Sequence, residues 1–168
     1  MLETSRLKLI PTTIEDAPFL YELMNSPKWI QYIGDQKMDT VDKVKKYIKE
    51  IMLPQFTKLG FTNNTVVLKE TNEKIGICGL YCRGNYPEEL ELGFALLPEF
   101  EQKGFGSESA ARLIEFGFTQ LPTKRITAIT NFYNLDSQKL LLKLGFSFVK
   151  DEIEDSGEEV KVYVLYKS

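Results

Sequence analysis

At 168 residues the chain is long enough for one domain, at about 150 residues per domain, and large enough to build an apolar core without disulfides or a structural metal. Hydrophobic residues make up 43% and charged residues 27%, a composition that excludes disordered and collagen-like chains. The 21 basic and 24 acidic residues give a net charge of −3, without the basic excess of a dedicated nucleic-acid binder. The absence of histidine removes Ser-His-Asp and Cys-His catalysis, histidine-metal sites and histidine pH switches.

An acid or base must therefore be a carboxylate, Tyr, Cys, Lys, a terminus or water. The two cysteines, Cys78 and Cys82, are too few for a zinc site, which needs four ligands, so no metal is expected. They read as free, half-buried thiols in a reducing compartment. Residues 1–8 show no apolar run like a signal peptide, and no stretch approaches the roughly 20 apolar residues of a membrane span. A cytoplasmic protein without membrane or nucleic-acid partners is expected, as monomer or homodimer.

In chain order, residues 6–10 alternate as a strand that Pro11 stops. Thr13 is placed to cap a helix with Phe19, Leu20, Leu23 and Met24 on its apolar face, ending before Asn25. One more short turn follows at residues 29–33. Thr40 caps a second helix, with Val41, Val44, Tyr47, Ile48, Ile51 and Met52 as its apolar stripe. Lys43, Lys45, Lys46 and Lys49 form its solvated face, and Pro54 ends it. Strands at 65–69, 75–81 and 89–97 form an antiparallel meander, with turns at 71–74 and 83–87. Next come a helix at 107–118, a strand at 125–130, and a helix at 135–144 closed by Gly145. A last strand pair, 146–150 and 161–166, surrounds Asp155-Ser156-Gly157. The order βαα-βββαβαββ predicts a mixed α/β fold (α+β) in a single domain, residues 1–168.

Glu91-Leu92-Gly93-Phe94-Ala95-Leu96-Leu97 leads through Pro98-Glu99-Phe100-Glu101-Gln102-Lys103-Gly104-Phe105-Gly106-Ser107 into a helix. Such a strand–loop–helix junction makes an anion site from converging backbone N–H groups and the helix N-terminus. Gly104 and Gly106 would admit a pyrophosphate close to the backbone. Ser109 replaces the third glycine of a dinucleotide fingerprint, and the Gly-Lys-Ser/Thr of a P-loop is absent.

Three segments in register resemble the GNAT superfamily of N-acetyltransferases, most closely its RimJ/RimL-like branch. They are Glu3-Thr4-Ser5-Arg6-Leu7-Lys8-Leu9 with Glu15-Asp16-Ala17, then Gln102-Lys103-Gly104-Phe105-Gly106-Ser107-Glu108-Ser109-Ala110, and Asn134-Leu135-Asp136-Ser137 followed by Leu144-Gly145-Phe146. The resemblance implies a central, mostly antiparallel twisted sheet flanked by helices and splayed between its fourth and fifth strands. The pantetheine arm of acetyl-CoA, the acyl donor, would fill that gap. Backbone groups near Phe94, Ala95 and Leu96 would bind it and form an oxyanion hole, with Gly93 as a bulge. Gln102, Lys103, Gly104, Phe105, Gly106 and Ser107 would hold the pyrophosphate, and Asn134 the pantetheine amides, unless Asn134 serves only as an N-cap.

The resemblance implies acetyl transfer to a small-molecule or peptide amine by direct attack in a ternary complex; a non-catalytic acyl-CoA-binding module is the alternative. Glu91 is the candidate base unless it merely pairs with a neighbouring cation, and Glu89 is the reserve on the same face. Ser137 is the candidate acid or a donor to the leaving sulfur; otherwise it is a first-turn residue satisfied by backbone. Two positions depart from the family pattern. Glu101 stands where Gln or Arg is common and is expected to point to solvent; Leu141 stands where many members carry a tyrosine acid. The run 151–159 holds six carboxylates, either a solvated tip or a field that attracts a cationic amine.

Overall fold

The computed structural model describes residues 1–82 and 86–168. Eight strands are described: β1 Leu2–Glu3, β2 Leu7–Pro11, β3 Asn63–Leu68, β4 Lys74–Tyr81, β5 Glu89–Leu96, β6 Arg125–Asn131, β7 Ser147–Ile153 and β8 Glu159–Tyr166. They form one sheet in the order β1-β2-β3-β4-β5-β6-β8-β7. Every pairing is antiparallel except β5–β6, which is parallel. The expected element order is present, with β1 added. The expected turn at 83–87 falls partly on residues 83–85, outside the described residues.

Among the described residues six α-helices cover the sheet: α1 Ala17–Met24, α2 Pro27–Tyr32, α3 Val41–Tyr47, α4 Leu53–Leu59, α5 Phe105–Gln120 and α6 Leu135–Lys143. Two apolar clusters lie on opposite sides. One face packs on α5 through Cys78, Leu80, Leu90 and Leu92 against Ala110 and Leu113. The other cluster joins Leu20 and Leu23 of α1, Trp29 of α2 and Val44 of α3 to Ile77 and Leu97. Alternation along β5 explains the split: Leu90 and Leu92 are buried toward α5, so Glu91 and Gly93 face the other side. The lysines Lys43, Lys45, Lys46 and Lys49 are exposed as expected.

Pro54 does not end its helix. A π-turn, Ile48–Met52, follows α3, and the Leu53 N–H donates to Ile48 O, five residues back. The wider turn shifts the ladder before the proline ring meets it, and Pro54 enters α4 in its first turn, where a missing N–H costs little. The helix stops instead at Gly60, at φ 79°, whose N–H reaches Phe56 O.

Candidate active site

Pairing between β5 and β6 runs only from Glu89–Arg125 through Glu91–Thr127. β5 stays paired with β4 as far as Leu96, and β6 stays paired with β8 as far as Asn131. The two strands therefore part just beyond Glu91. The notch opens into a cavity of about 870 Å³ bounded by β5, β6, the loop before α5, α6, α2 and the β7–β8 hairpin.

Backbone direction along β5 can be followed residue by residue. Leu97 N–H donates to Ile75 O at 2.9 Å, and a Cβ on Gly76 would meet Ala95 O. Odd-numbered residues thus turn their backbone groups toward β4. Glu88 O accepts from Lys124 and Arg125 N–H, and Leu90 O from Thr127 Oγ1, so even-numbered residues turn toward β6. By the same alternation Leu92, Phe94 and Leu96 aim their backbone groups into the notch. Ala95, expected to bind through its backbone, instead spends that group on β4, although the residue still lines the cavity. No bulge occurs at Gly93, because the β4–β5 register is unbroken from Gly76–Leu96 to Tyr81–Glu91. The glycine is needed for another reason: a Cβ there would lie 2.7 Å from Tyr81 Cε2. The Tyr81 ring occupies the space, and its hydroxyl donates to Asn63 Oδ1 at 2.8 Å.

The loop into α5 is shaped by two residues in the left-handed region, Gln102 at φ 57° and Gly104 at φ 84°. Gly104 is the N-cap of α5, so the first N–H groups of the helix lack intrahelical partners and face outward. Gln102, Gly104, Gly106 and Ser107 line the cavity. Lys103 and Phe105 do not. Lys103 Nζ lies over the Phe100 ring, and Phe105 is buried in the core with the Arg6 guanidinium over its face. The turn of the loop sends these two side chains behind it.

Asn134 caps α6, its Oδ1 accepting from Ser137 N–H at 3.2 Å. Both side chains line the cavity, so the capping role and a ligand-facing position coexist. Leu141 is buried, and its helix presents Lys139, Leu140 and Lys143 to the cavity as well.

Among the carboxylates, Glu91 lines the cavity where the strands part. Glu89 is committed elsewhere: its Oε2 accepts from Arg125 Nε at 2.6 Å and lies 2.5 Å from Nη2. Glu101 does not point to solvent. It lines the cavity and pairs with Lys28 of α2, whose ammonium also lies 3.9 Å from Asp136. The hydrogen bond to Glu101 raises the Lys28 pKa, so the ammonium stays charged. Sequence reasoning missed Lys28, since nothing local marks a residue whose partners lie 73 and 108 positions away. Glu154 and Glu158 of the acidic hairpin reach the cavity wall, where Glu158 approaches Gly34 beyond α2. Burial pushes the Cys78 thiol up to about 12, which fits a core residue and not a nucleophile.

The acetyltransferase (GNAT) domain matches residues 6–147, and the chain belongs to that family as an N-acetyltransferase. It is 31% identical over 168 residues to the uncharacterized N-acetyltransferase p20 of Bacillus licheniformis, covering 98% of this chain and 93% of the relative. It is 22% identical over 141 residues to the spermidine N(1)-acetyltransferase of Escherichia coli K12, covering 84% and 73%. The structure of RimL, a ribosomal L7/L12 α-N-protein acetyltransferase in complex with coenzyme A, shares the fold with a TM-score of 0.82 at 16% identity. That match covers 97% of this chain and 95% of RimL.

Proposed function

We propose that this chain transfers an acetyl group from acetyl-CoA to a cationic primary amine by direct attack in a ternary complex. The observation that carries the reading is the parting of β5 and β6 beyond Glu91 and Thr127, which turns strand backbone groups into a slot beside a carboxylate. The slot suits an extended amide-bearing chain, which would bond to Phe94 and Leu96 as an added strand. The open N–H groups at the start of α5 suit a pyrophosphate, and Gly106 keeps a side chain out of its way.

Within this reading each residue has one task. Glu91, directly or through water, takes one proton from the ammonium, which frees the nitrogen lone pair to bond to the thioester carbon. A β5 backbone N–H stabilises the charge that builds on the thioester oxygen. As the C–S bond breaks and its electron pair leaves with the sulfur, the nitrogen's second proton passes through the Ser137 hydroxyl to that sulfur, so the serine ends as it began. Glu154 and Glu158 bring acidic charge to the cavity wall at the hairpin, which favours a cation. The spermidine acetyltransferase among the relatives acts on such a substrate.

The test is free-thiol release from acetyl-CoA with a panel of polyamines, amino acids, aminoglycosides and N-terminal peptides. Release that depends on a cationic amine is expected. Acetyl-CoA binding without release for any amine would overturn the reading in favour of a binding module.

A further inference from the structure

The opening motif Glu3-Thr4-Ser5-Arg6-Leu7 lies outside the cavity wall, and the mechanism above does not use it. Its side chains nevertheless converge on the back of the loop that precedes α5. Glu108, in the first turn of α5, accepts from five donors of this motif. Oε1 takes Thr4 Oγ1 at 2.5 Å, Ser5 Oγ at 3.1 Å and Arg6 N–H at 3.0 Å. Oε2 takes Arg6 Nε and Nη2, each at 2.7 Å. The remaining arm of the guanidinium, Nη1, donates to Lys103 O at 3.1 Å. The guanidinium also stacks 4.5 Å from the centre of the Phe105 ring.

We propose that Arg6 and Glu108 form a latch that holds this loop in its anion-binding shape, making Arg6 a positioning residue for the pyrophosphate end of the donor. The inference rests on the proposed role of the loop. Lys103 O lies between two left-handed residues, Gln102 and Gly104, and the first of these has a side chain that disfavours that conformation. The Arg6 fork ties that carbonyl to the first turn of the helix, which fixes the angle between loop and helix. A Cβ on Gly104 would come 3.2 Å from Arg6 Nη2, so the glycine also makes room for the latch.

The latch has an electrostatic side. A carboxylate in the first turn of α5 would oppose an incoming phosphate. Glu108 is instead drawn to the far side of the loop and neutralised there. The turn that supplies Arg6 is itself fixed: Thr4 N–H and Leu7 O are bonded, Thr4 Oγ1 accepts from Leu7 N–H, and Lys69 Nζ donates to Thr4 O. Leu7 then enters the core as the first residue of β2.

The experiment compares two donors, acetyl-CoA and S-acetyl-pantetheine, which lacks the pyrophosphate. In Arg6→Ala, CoA affinity by calorimetry and kcat/KM with acetyl-CoA should each fall tenfold or more, and kcat/KM with S-acetyl-pantetheine should fall at least tenfold less. Glu108→Gln keeps an acceptor oxygen but loses the charge, and should shift both donors in the same direction by a smaller factor. Arg6→Lys keeps the charge without the fork and should recover less than half of the lost affinity. Equal losses with both donors, or wild-type CoA affinity in folded Arg6→Ala, would overturn the latch alone. A wild-type protein that binds no CoA would overturn the proposed function and this inference with it.

Discussion

The two ends of the cavity are built from different materials. The end proposed for the donor consists of backbone: the parted edge of β5, the N-terminus of α5 and a loop turned by Gly104. The acceptor end consists of side chains from segments far apart in sequence: Tyr81 and Glu91 of the sheet, Lys28 of α2, and Glu154 and Glu158 of the hairpin. A backbone-built site can serve many sequences, so long as strand, turn and helix form. A side-chain-built site changes with each substitution. The same fold can therefore keep its donor and exchange its acceptor.

The sharpest way to break this contrast is Glu91→Gln, which alters the acceptor end without changing shape. We expect turnover to fall by roughly 10²-fold or more, with CoA affinity nearly unchanged. The loss should shrink as pH rises, because an alkyl amine with a pKa near ~10.4 is increasingly neutral and needs less help. A small loss that is flat with pH would remove Glu91 as the base. The counterpart at the donor end is Gly106→Val. A Cβ there already meets Leu140 Cδ1 at 3.0 Å, so added methyl groups press on α6 and crowd the helix N-terminus. CoA affinity should drop about tenfold, or ~1.4 kcal/mol, in a variant that still melts cooperatively. Unchanged affinity would take this turn out of the site.

Ser137→Ala probes where the two ends meet. Single-turnover and binding measurements should show turnover reduced about fivefold and CoA affinity less affected, as for an interaction made mainly in the transition state. The reverse pattern would make Ser137 a binding residue. Lys28→Ala tests whether the ends are independent, because Lys28 belongs to α2 but neutralises Glu101 beside the donor loop. CoA affinity should fall roughly threefold in Lys28→Ala and return when Glu101→Gln is added, a coupling that a double-mutant cycle measures directly. Additive losses would show that Glu101 does not repel the donor. The smallest effect is expected from the Glu154→Gln, Glu158→Gln pair: KM for a polyamine about twofold higher at low salt, converging with wild type at high salt. A salt-independent change would point to contact and not to field.

The turn into α5 was legible in the sequence, and the cavity wall built from remote side chains was not. Gly104, Gly106 and the strand–loop–helix order mark the turn: Gly104 adopts φ 84°, which favours glycine, and a Cβ on Gly106 would lie 3.0 Å from Leu140 Cδ1. Leu90 and Leu92 alternating with Glu91 placed that carboxylate on the face away from α5. The same local logic misjudged Glu101, expected in solvent, because its partner Lys28 is remote in sequence. It misjudged Pro54, because a π-turn can absorb a proline within a longer helix. It assigned Gly93 a bulge because a glycine within a strand does not disclose that a Tyr81 ring lies against it.

By itself the sequence determined the element order, the excluded chemistries and the turn that offers an anion site, since these follow from periodicity, composition and backbone freedom over a few residues. Only the tertiary structure decided that β5 and β6 part beyond Glu91, that Glu89 is held by Arg125 while Glu91 faces the cavity, and that Arg6 and Glu108 meet behind the loop. Each of these depends on contacts between segments at least 36 positions apart, set by the register of strands and the packing of helices on the sheet.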